Sequence, residues 1–360
     1  MKTKIVYVLV SSDKDIYLEQ AYVSMYSLKH HNPDARIVLL TDRLTEATFT
    51  GIRKEEVGLA DEIVVVDLDG EKLTAQQRSR QLKTSVRNRI EGDFLFVDCD
   101  TVITRSLDGI DETGAMMAAC RDTHSDFVNN PYRSLCLRHG HLLGWPIDNE
   151  EDYFNSGVIY VKDVPEAHEF YCRWNENLNK GYSSKVFMDQ PAFAKTNYEM
   201  GHVIQHLPDV WNCELKHGIR YLKDAKIVHY LCTNPSRHQD KQLFLLNEKD
   251  VLMEVKRTGR ISDDIMAVMD DPFVGLAETT HCFAGEDLFF FRTSEYNYLR
   301  KGYCRDGSPS ASMNVLRVMK KVDYYLNKFN ISVGGGKNEP INPLQASFTG
   351  LHSNNLKHAA

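Results

Sequence analysis

Short, entirely apolar segments alternate with longer amphipathic ones along the first hundred residues. Residues 5–10 form an apolar, β-branched run, as expected of a strand that is covered on both faces. Residues 17–31 instead carry apolar side chains at helical spacing, and Pro33 follows their end. Two further buried strands are predicted at residues 35–40 and 62–66. This alternation predicts an α/β fold whose mostly parallel sheet is flanked by helices.

A basic helix is predicted from residue 74 onwards. Thr74 and Gln77 have the spacing of a capping box, which begins a helix. Arg80, Lys83 and Arg87 follow at intervals that place them on one helix face. Because a row of bases binds phosphate oxygens well, this face predicts a phosphate-bearing ligand.

The next strand ends in two carboxylates. Residues 94–97 are apolar and are followed directly by Asp98, Cys99 and Asp100. In an open α/β sheet, ligands bind at the carboxyl ends of the strands. Two carboxylates flanking one residue can hold a divalent cation through oxygen ligands. With the basic helix, the pair indicates a metal-dependent site for a nucleotide or a phosphorylated metabolite, and the absence of GxGxxG after the first strand argues against a dehydrogenase.

The pattern changes towards the C-terminus. Strands are predicted at residues 157–161 and 226–230, and a helix at residues 164–179. Beyond residue 240 the segments become helical, and the last residues are rich in Gly, Asn and Ser. We therefore predict three parts. Residues 1–240 form a catalytic α/β domain, residues 241–332 a mainly helical C-terminal extension and residues 333–360 a flexible tail.

Composition narrows the function classes. The 360 residues carry 43 Lys and Arg against 50 Asp and Glu, a net charge of −7, which disfavours nucleic acid as a partner. No apolar run approaches the roughly 18 residues needed to cross a bilayer. No two of the eight cysteines lie within ten residues of each other, which excludes CxxC-type zinc and redox motifs. Free thiols, and hence a cytoplasmic location, are predicted.

Several motifs occur in the order and spacing of a known family. They are Phe96 to Thr101, Phe154 to Val158, the Asp189-Gln190 pair and Val228 to Tyr230, preceded by residues 5–13, Tyr17 and residues 79–83. Over residues 1–230 the chain resembles the family 8 glycosyltransferases. The resemblance implies the GT-A fold and a retaining enzyme that uses a nucleotide-diphosphate sugar and manganese.

The resemblance also assigns metal-ligating and catalytic residues. Asp98, Asp100 and His229 correspond to the family's metal ligands, with Mn²⁺ as the implied cofactor and Mg²⁺ as an alternative. Gln190 corresponds to the residue beneath the anomeric carbon of the donor, and with Asp189 it forms the implied catalytic pair.

The remaining matches concern the donor. Tyr17 corresponds to an aromatic residue that stacks on the base, and Arg80 and Lys83 lie at the positions nearest the diphosphate and sugar. Asp122, Asn155 and Asp189 match positions that hydrogen-bond the donor sugar. Here residues 230–235 lack the lysine that often follows the family's last histidine, so the diphosphate clamp must differ. The implied donor-binding residues are Val10, Ser12, Tyr17, Arg80, Lys83, Asp98, Cys99, Asp122, Asn155, Ser156 and Gly157.

The resulting hypothesis is a metal-dependent transferase that moves a hexose, galactose or glucose, from a UDP-sugar to a glycan or lipid-linked acceptor. Retention is expected, with a role in surface polysaccharide or lipopolysaccharide synthesis. Two alternatives remain. Residues 98–102 also fit the opening motif of haloacid-dehalogenase-like phosphatases, in which Asp98 would be the nucleophile. Such a phosphatase also needs an acidic pair late in the chain, for which Asp263-Asp264 and Asp270-Asp271 are available. The other is a catalytically silent nucleotide-sugar-binding module.

A basic amphipathic helix is predicted at residues 313–329. Its apolar stripe and its Lys and Arg residues suit a peripheral contact with the inner face of a membrane that bears a lipid-linked acceptor. Packing of the same helix against the catalytic domain is the alternative.

Overall fold

A computed structural model describes residues 1–68, 72–230 and 245–276, with positions 294 and 318 in isolation. By its internal contacts the chain divides into two compact units, Met1–Phe290 and Phe291–Ala360. The predicted boundaries near residues 240 and 332 lie outside the described residues. So do the tail and, apart from position 318, the basic segment at residues 313–329. The predicted division into domains therefore stays a prediction.

The described residues form two β-sheets, and the larger confirms the predicted mostly parallel sheet. It has seven strands in the order β3-β2-β1-β4-β7-β6-β8, in which β7 runs antiparallel to both of its neighbours. The smaller sheet has the order β5-β10-β9. The strands are β1 (Lys4–Leu9), β2 (Ile37–Asp42), β3 (Glu62–Val66), β4 (Phe94–Val97), β5 (Thr101–Ile103), β6 (Met117–Arg121), β7 (Phe154–Val161), β8 (Ile204–His206), β9 (Cys213–Glu214) and β10 (Ile227–His229).

Helices cover both faces of the larger sheet, because its central strands are apolar on both sides. Along β1, Ile5, Tyr7 and Leu9 pack with the first helix, whereas Val6 and Val8 pack on the opposite side. The α-helices are α1 (Tyr17–His31), α2 (Arg43–Glu46), α3 (Ile52–Val57), α4 (Ala75–Lys83), α5 (Arg133–Leu142), α6 (Pro165–Ser183), α7 (Asp189–Glu199), α8 (Lys249–Thr258) and α9 (Asp263–Asp270).

The two last described helices pack on the smaller sheet. Leu252 and Val255 of α8 and Val268 of α9 share one apolar cluster with Val228 of β10 and Val102 of β5. Burial of this cluster holds β10 beside β5. Among the described residues, no helix combines the length and apolar character needed to cross a membrane.

Two details differ from the sequence prediction. The capping box of Thr74 and Gln77 is present, but α4 ends at Lys83 instead of continuing, so Arg87 leaves the predicted basic face. Arg87 is fully buried and donates to the Gly92 carbonyl at 2.8 Å. The strand predicted at residues 226–230 is shorter, Ile227–His229, and it belongs to the smaller sheet, where it pairs with β5.

Candidate functional site

The three predicted metal ligands meet at the junction of the two sheets. Asp98 follows β4 directly, and Asp100 immediately precedes β5. Because β10 pairs antiparallel with β5, His229 lies opposite Thr101, one residue beyond Asp100. His229 Nε2 is 3.2 Å from Asp100 Oδ1, and one ligand atom from each of the three side chains lies within 4.8 Å of the others. Residues about 130 positions apart in the chain thus form one compact cluster.

Gly157 makes this approach possible. A Cβ at this position would lie 2.4 Å from His229 Cε1 and 2.9 Å from Asp98 Oδ2. Both distances are shorter than nonbonded contacts allow, so any other residue would push the imidazole away from the carboxylate. Gly157 also accepts a hydrogen bond from the backbone N–H of Asp98 at 2.8 Å, which fixes β7 beside β4.

The electrostatics of the cluster favour a bound cation. Burial raises the pKa of Asp98 to about 6, the Lys83 ammonium opposes this, and the Asp100 carboxylate adds to it. Burial lowers the pKa of His229, but the charge and hydrogen bond of Asp100 together with the charge of Asp98 raise it overall. Two carboxylates and an imidazole with excess negative charge form a mixed oxygen and nitrogen ligand set of the kind that binds Mn²⁺. Asp98, Asp100 and His229 therefore fit a divalent cation.

A second group of charges lies against the metal cluster. Lys83 Nζ, at the end of α4, is 3.1 Å from Asp98 Oδ1 and 3.2 Å from Asp189 Oδ2. Arg80 Nε, one turn earlier, is 3.7 Å from Asp189 Oδ1. Burial raises the pKa of Asp189, but the opposing effect of Lys83 and Arg80 is part of a net shift below the ordinary value. This carboxylate is therefore ionised at neutral pH. Asp189 begins α7, where the helix dipole also favours negative charge.

Asp122 is the centre of a third set of contacts, in which side-chain amides bind its carboxylate. Gln190 Nε2 donates to its Oδ1 at 2.9 Å, and Asn155 Nδ2 donates to the same oxygen at 3.3 Å. Asn130 Nδ2 donates to Oδ2 at 2.9 Å. Ser156, next to Asn155 on β7, donates from Oγ to Asp189 Oδ2 at 3.0 Å, which connects this group to the charged one. The structure therefore brings together every residue predicted to contact the donor sugar.

The predicted nucleotide-binding residues form a group of their own at the end of β1. Ser12 donates to the Asp15 carboxylate from its backbone N–H, at 2.7 Å, and from its hydroxyl, at 2.8 Å. Tyr17 begins α1 and is about 42% exposed, and Val10 is buried. Burial raises the pKa of Tyr17, and Asp15 and Asp100 add to this, so Tyr17 lies within electrostatic reach of the metal cluster. Cys99 donates from Sγ to the Val8 carbonyl at 3.3 Å.

Around the metal cluster and Asp122, two asparagines have no counterpart among the predicted residues. Asn130 holds Asp122, and Asn212 lies between His229 and Asn155. Both residues lie in turns, where there is no periodic pattern of apolar residues, and neither is next to a recognisable motif. The sequence pattern therefore does not identify them as site residues.

The acidic pairs required by the phosphatase alternative lie on a helix. Asp263 begins α9 and Asp270 ends it. The carboxylates that assist an aspartate nucleophile in phosphatases of that class are instead needed at the end of a strand beside it. The geometry thus provides no partner of this kind from either pair.

Several solved structures are similar to this chain. An active-site mutant of LgtC superimposes with a TM-score of 0.50 at 17% identity, covering 72% of this chain and 98% of that one. LgtC, named a galactosyltransferase, in complex with donor and acceptor sugar analogues gives 0.49 at 16% identity, with 74% and 99% covered. Mouse xyloside xylosyltransferase 1 gives 0.45 at 16% identity, with 64% and 98% covered. The first of these confirms the predicted GT-A-type fold.

At the level of sequence, no curated protein matches the chain. A family model described as nucleotide-diphospho-sugar transferase matches residues 72–256, more than half of the chain. The matched segment contains the aspartate pair, the β7 motif, the start of α7 and His229. The chain therefore belongs to the nucleotide-diphospho-sugar transferase family.

Proposed function

We propose that the protein is a retaining, Mn²⁺-dependent glycosyltransferase of the family 8 type that transfers a hexose from a UDP-sugar. The acceptor is a glycan or a lipid-linked sugar, and the product is a surface polysaccharide or lipopolysaccharide. The observation that carries this proposal is the contact between the cluster of Asp98, Asp100 and His229 and the Lys83–Asp189 pair, which is made by Lys83 and Asp98. A site for a cation and a site for phosphate oxygens are thus adjacent, as a nucleoside diphosphate requires.

The proposed chemistry is the departure of UDP from the anomeric carbon. A divalent cation held by Asp98, Asp100 and His229 supplies positive charge for the diphosphate oxygens. Lys83 and Arg80 add two fixed cations of the protein next to that position, so the charge that develops on the leaving diphosphate is stabilised without reorganisation of solvent. Galactose or glucose is the proposed sugar, with Mg²⁺ as the alternative cation.

The contacts between side-chain amides and Asp122 suit the sugar ring. Asp122 accepts hydrogen bonds from three amides, which hold its carboxylate in one orientation towards sugar hydroxyls. Gln190 is the proposed residue beneath the anomeric carbon, and its amide is fixed because Nε2 donates to Asp122. Asp189 is held ionised by Lys83 and Arg80, so its proposed role is to bind sugar hydroxyls and position Lys83. Retention then follows if the acceptor oxygen bonds to the anomeric carbon on the face from which UDP departs. The bond to the diphosphate breaks as this bond forms, and the leaving phosphate accepts the proton of the acceptor.

We also propose that the reaction takes place in the cytoplasm, with the segment at residues 313–329 as a peripheral membrane contact. Among the described residues, five cysteines are free thiols, as a reducing compartment favours.

The test is a screen of UDP-, GDP- and dTDP-sugars for donor hydrolysis with Mn²⁺ and with EDTA, together with calorimetry of UDP under both conditions. We expect hydrolysis of one UDP-hexose in the presence of metal and tighter UDP binding with Mn²⁺ than without. Equal affinity for UDP in EDTA would contradict the metal assignment. Metal-dependent binding without turnover of any donor or acceptor would instead indicate the silent module.

A further inference from the structure

Asn212 lies between the metal cluster and the sugar group. Its side chain is fully buried in the turn before β9. Asn212 Oδ1 is 3.0 Å from His229 Nδ1, and its Nδ2 donates to Asn155 Oδ1 at 3.0 Å. One amide thus contacts a proposed metal ligand on one side and a proposed sugar-binding residue on the other.

The orientation of this amide follows from a backbone hydrogen bond. The Gly157 N–H lies 2.7 Å from Asn155, and because a backbone N–H can only donate, the atom that receives it is the Asn155 oxygen. The NH₂ group of Asn155 then points to the Asp122 carboxylate. Since Asn155 Oδ1 is an acceptor, the atom of Asn212 that faces it must be the NH₂ group. The oxygen of Asn212 therefore faces His229.

An oxygen in that position determines the tautomer of the imidazole. Only a protonated Nδ1 can hydrogen-bond to Asn212 Oδ1, so the neutral ring carries its proton there and leaves Nε2 with a free lone pair. Nε2 is the atom that faces Asp100 Oδ1, at 3.2 Å. We propose that Asn212 is a positioning residue that selects the Nδ1–H tautomer of His229 and directs the Nε2 lone pair to the metal position.

The tautomer selection stands on this hydrogen-bond chain alone, whereas its use in metal binding rests on the proposed function. Ligating histidines generally donate their second ring N–H to another group, and loss of that group typically weakens metal affinity by 10- to 100-fold. Asn212 provides this group from the turn before β9, whereas the three proposed ligands lie at the end of β4, before β5 and on β10. The same amide fixes Asn155, so the orientations of His229 and of the Asp122 contacts depend on one residue.

The experiment uses the full chain labelled with ¹⁵N-histidine and compares the wild type with Asn212→Leu and Asn212→Asp. Nitrogen–proton NMR at high pH, where the rings are neutral, reports the tautomer, and the His229 signal is identified by its absence in His229→Gln. We expect the Nδ1–H tautomer in the wild type, its loss in Asn212→Leu, which cannot accept a hydrogen bond, and its recovery in Asn212→Asp, which can. Asn177→Leu removes an amide that is also buried, in α6 away from the cluster, and is the control that retains the wild-type tautomer.

Mn²⁺ binding to the same proteins, followed by electron paramagnetic resonance, provides the second measurement. Asn212→Leu should bind the ion 10- to 100-fold more weakly than the wild type and Asn177→Leu. An Nε2–H tautomer in the wild type would by itself overturn the proposal. An unchanged tautomer in Asn212→Leu would also overturn it. If the wild type has the Nδ1–H tautomer but binds no Mn²⁺, the positioning role is supported and the metal-dependent function is what fails.

Discussion

Among the groups of acidic and basic side chains in the described fold, two differ clearly in their balance of charge. The first, which we call the hub, joins α1, α3 and α8. In the hub, Glu19 Oε1 lies 3.4 Å from Lys256 Nζ and 3.8 Å from Arg53 Nη1, and Glu56 is buried beside them. Two acids thus face two bases that the protein itself supplies.

The second group, at the metal cluster, has an excess of acid. Three carboxylates lie with two basic side chains there: Lys83 contacts Asp98 and Asp189, and Arg80 contacts Asp189. Asp100 faces His229 Nε2, which is a further acceptor when the ring is neutral. The hub needs no ligand to balance its charge, whereas the metal cluster does. Buried ionisable residues alone therefore do not indicate a functional site, whereas an excess of one charge at the ends of strands does.

The most severe change should come from removing an acid of the metal cluster. Asp100→Ala is expected to lower the rate of sugar transfer at least tenfold, about 1.4 kcal/mol in transition-state stabilisation, and to remove the effect of Mn²⁺ on UDP binding. Transfer kinetics and calorimetry measure both. Asp148→Ala is the control, because Asp148 also bonds a histidine, His141, but at an exposed position. Retention of more than a tenth of the activity with a normal response to Mn²⁺ would contradict the metal assignment.

Removing a base from the hub should affect stability instead. Lys256→Met leaves Glu19, which is fully buried, with Arg53 as its remaining cation. We expect the free energy of unfolding at neutral pH to fall by about 2–3 kcal/mol, less than for a fully buried pair because Lys256 is partly exposed. Urea unfolding measures the loss, and Lys249→Met, at the exposed start of α8, should cause little change. If Lys256→Met also abolished Mn²⁺ binding, the two groups would not be independent.

The smallest of the three effects concerns pH. Burial and the Glu19 carboxylate raise the pKa of Glu56 to about 7, from an ordinary value of 4.5. Because the folded protein binds this proton more tightly than the unfolded chain, the stability contributed by the group is full below pH 4.5 and is lost as the pH rises to about 7.

Glu56→Gln should therefore stabilise the protein by about 1–2 kcal/mol at pH 8.5 and by almost nothing at pH 4.5. The gain stays below the limit of about 3 kcal/mol set by the pKa, because a buried glutamine amide replaces the neutral carboxyl group imperfectly. Thermal unfolding at the two pH values provides the measurement, with the exposed neighbour in Glu55→Gln as control. A stabilisation that is equal at both pH values would argue against titration of Glu56 as its cause.

The elements with strong local signals were predictable from sequence. β3 and β4 have the bounds expected from their apolar runs, and α1 begins and ends at the predicted residues. The capping box of Thr74 and Gln77 could be predicted because it depends on residues only three positions apart. The end of α4 was not, since the hydroxyls of Thr84 and Ser85 bond to backbone carbonyls of the preceding turn and compete with continuation of the helix.

What the sequence could not provide were the pairings between distant segments. β5 and β10 are three residues long, too short for a periodic pattern, and their antiparallel register is what brings His229 to Asp100. Because the sequence does not reveal this register, only the family resemblance indicated that Asp98, Asp100 and His229 act together as metal ligands. Asn212 has no motif at all, because its role arises from two residues that lie 17 and 57 positions away.

The pairing of β5 with β10 also links ligand binding to the folding of the C-terminal helices. A ligand that binds only when His229 is in place stabilises every contact on which that placement depends, by about 2.7 kcal/mol at a hundred times its dissociation constant. Since α8 and α9 bury β10, their local opening becomes less frequent when the donor is bound. Amide hydrogens in these helices should then exchange more slowly with the donor than without it, although neither helix carries a residue assigned to the donor.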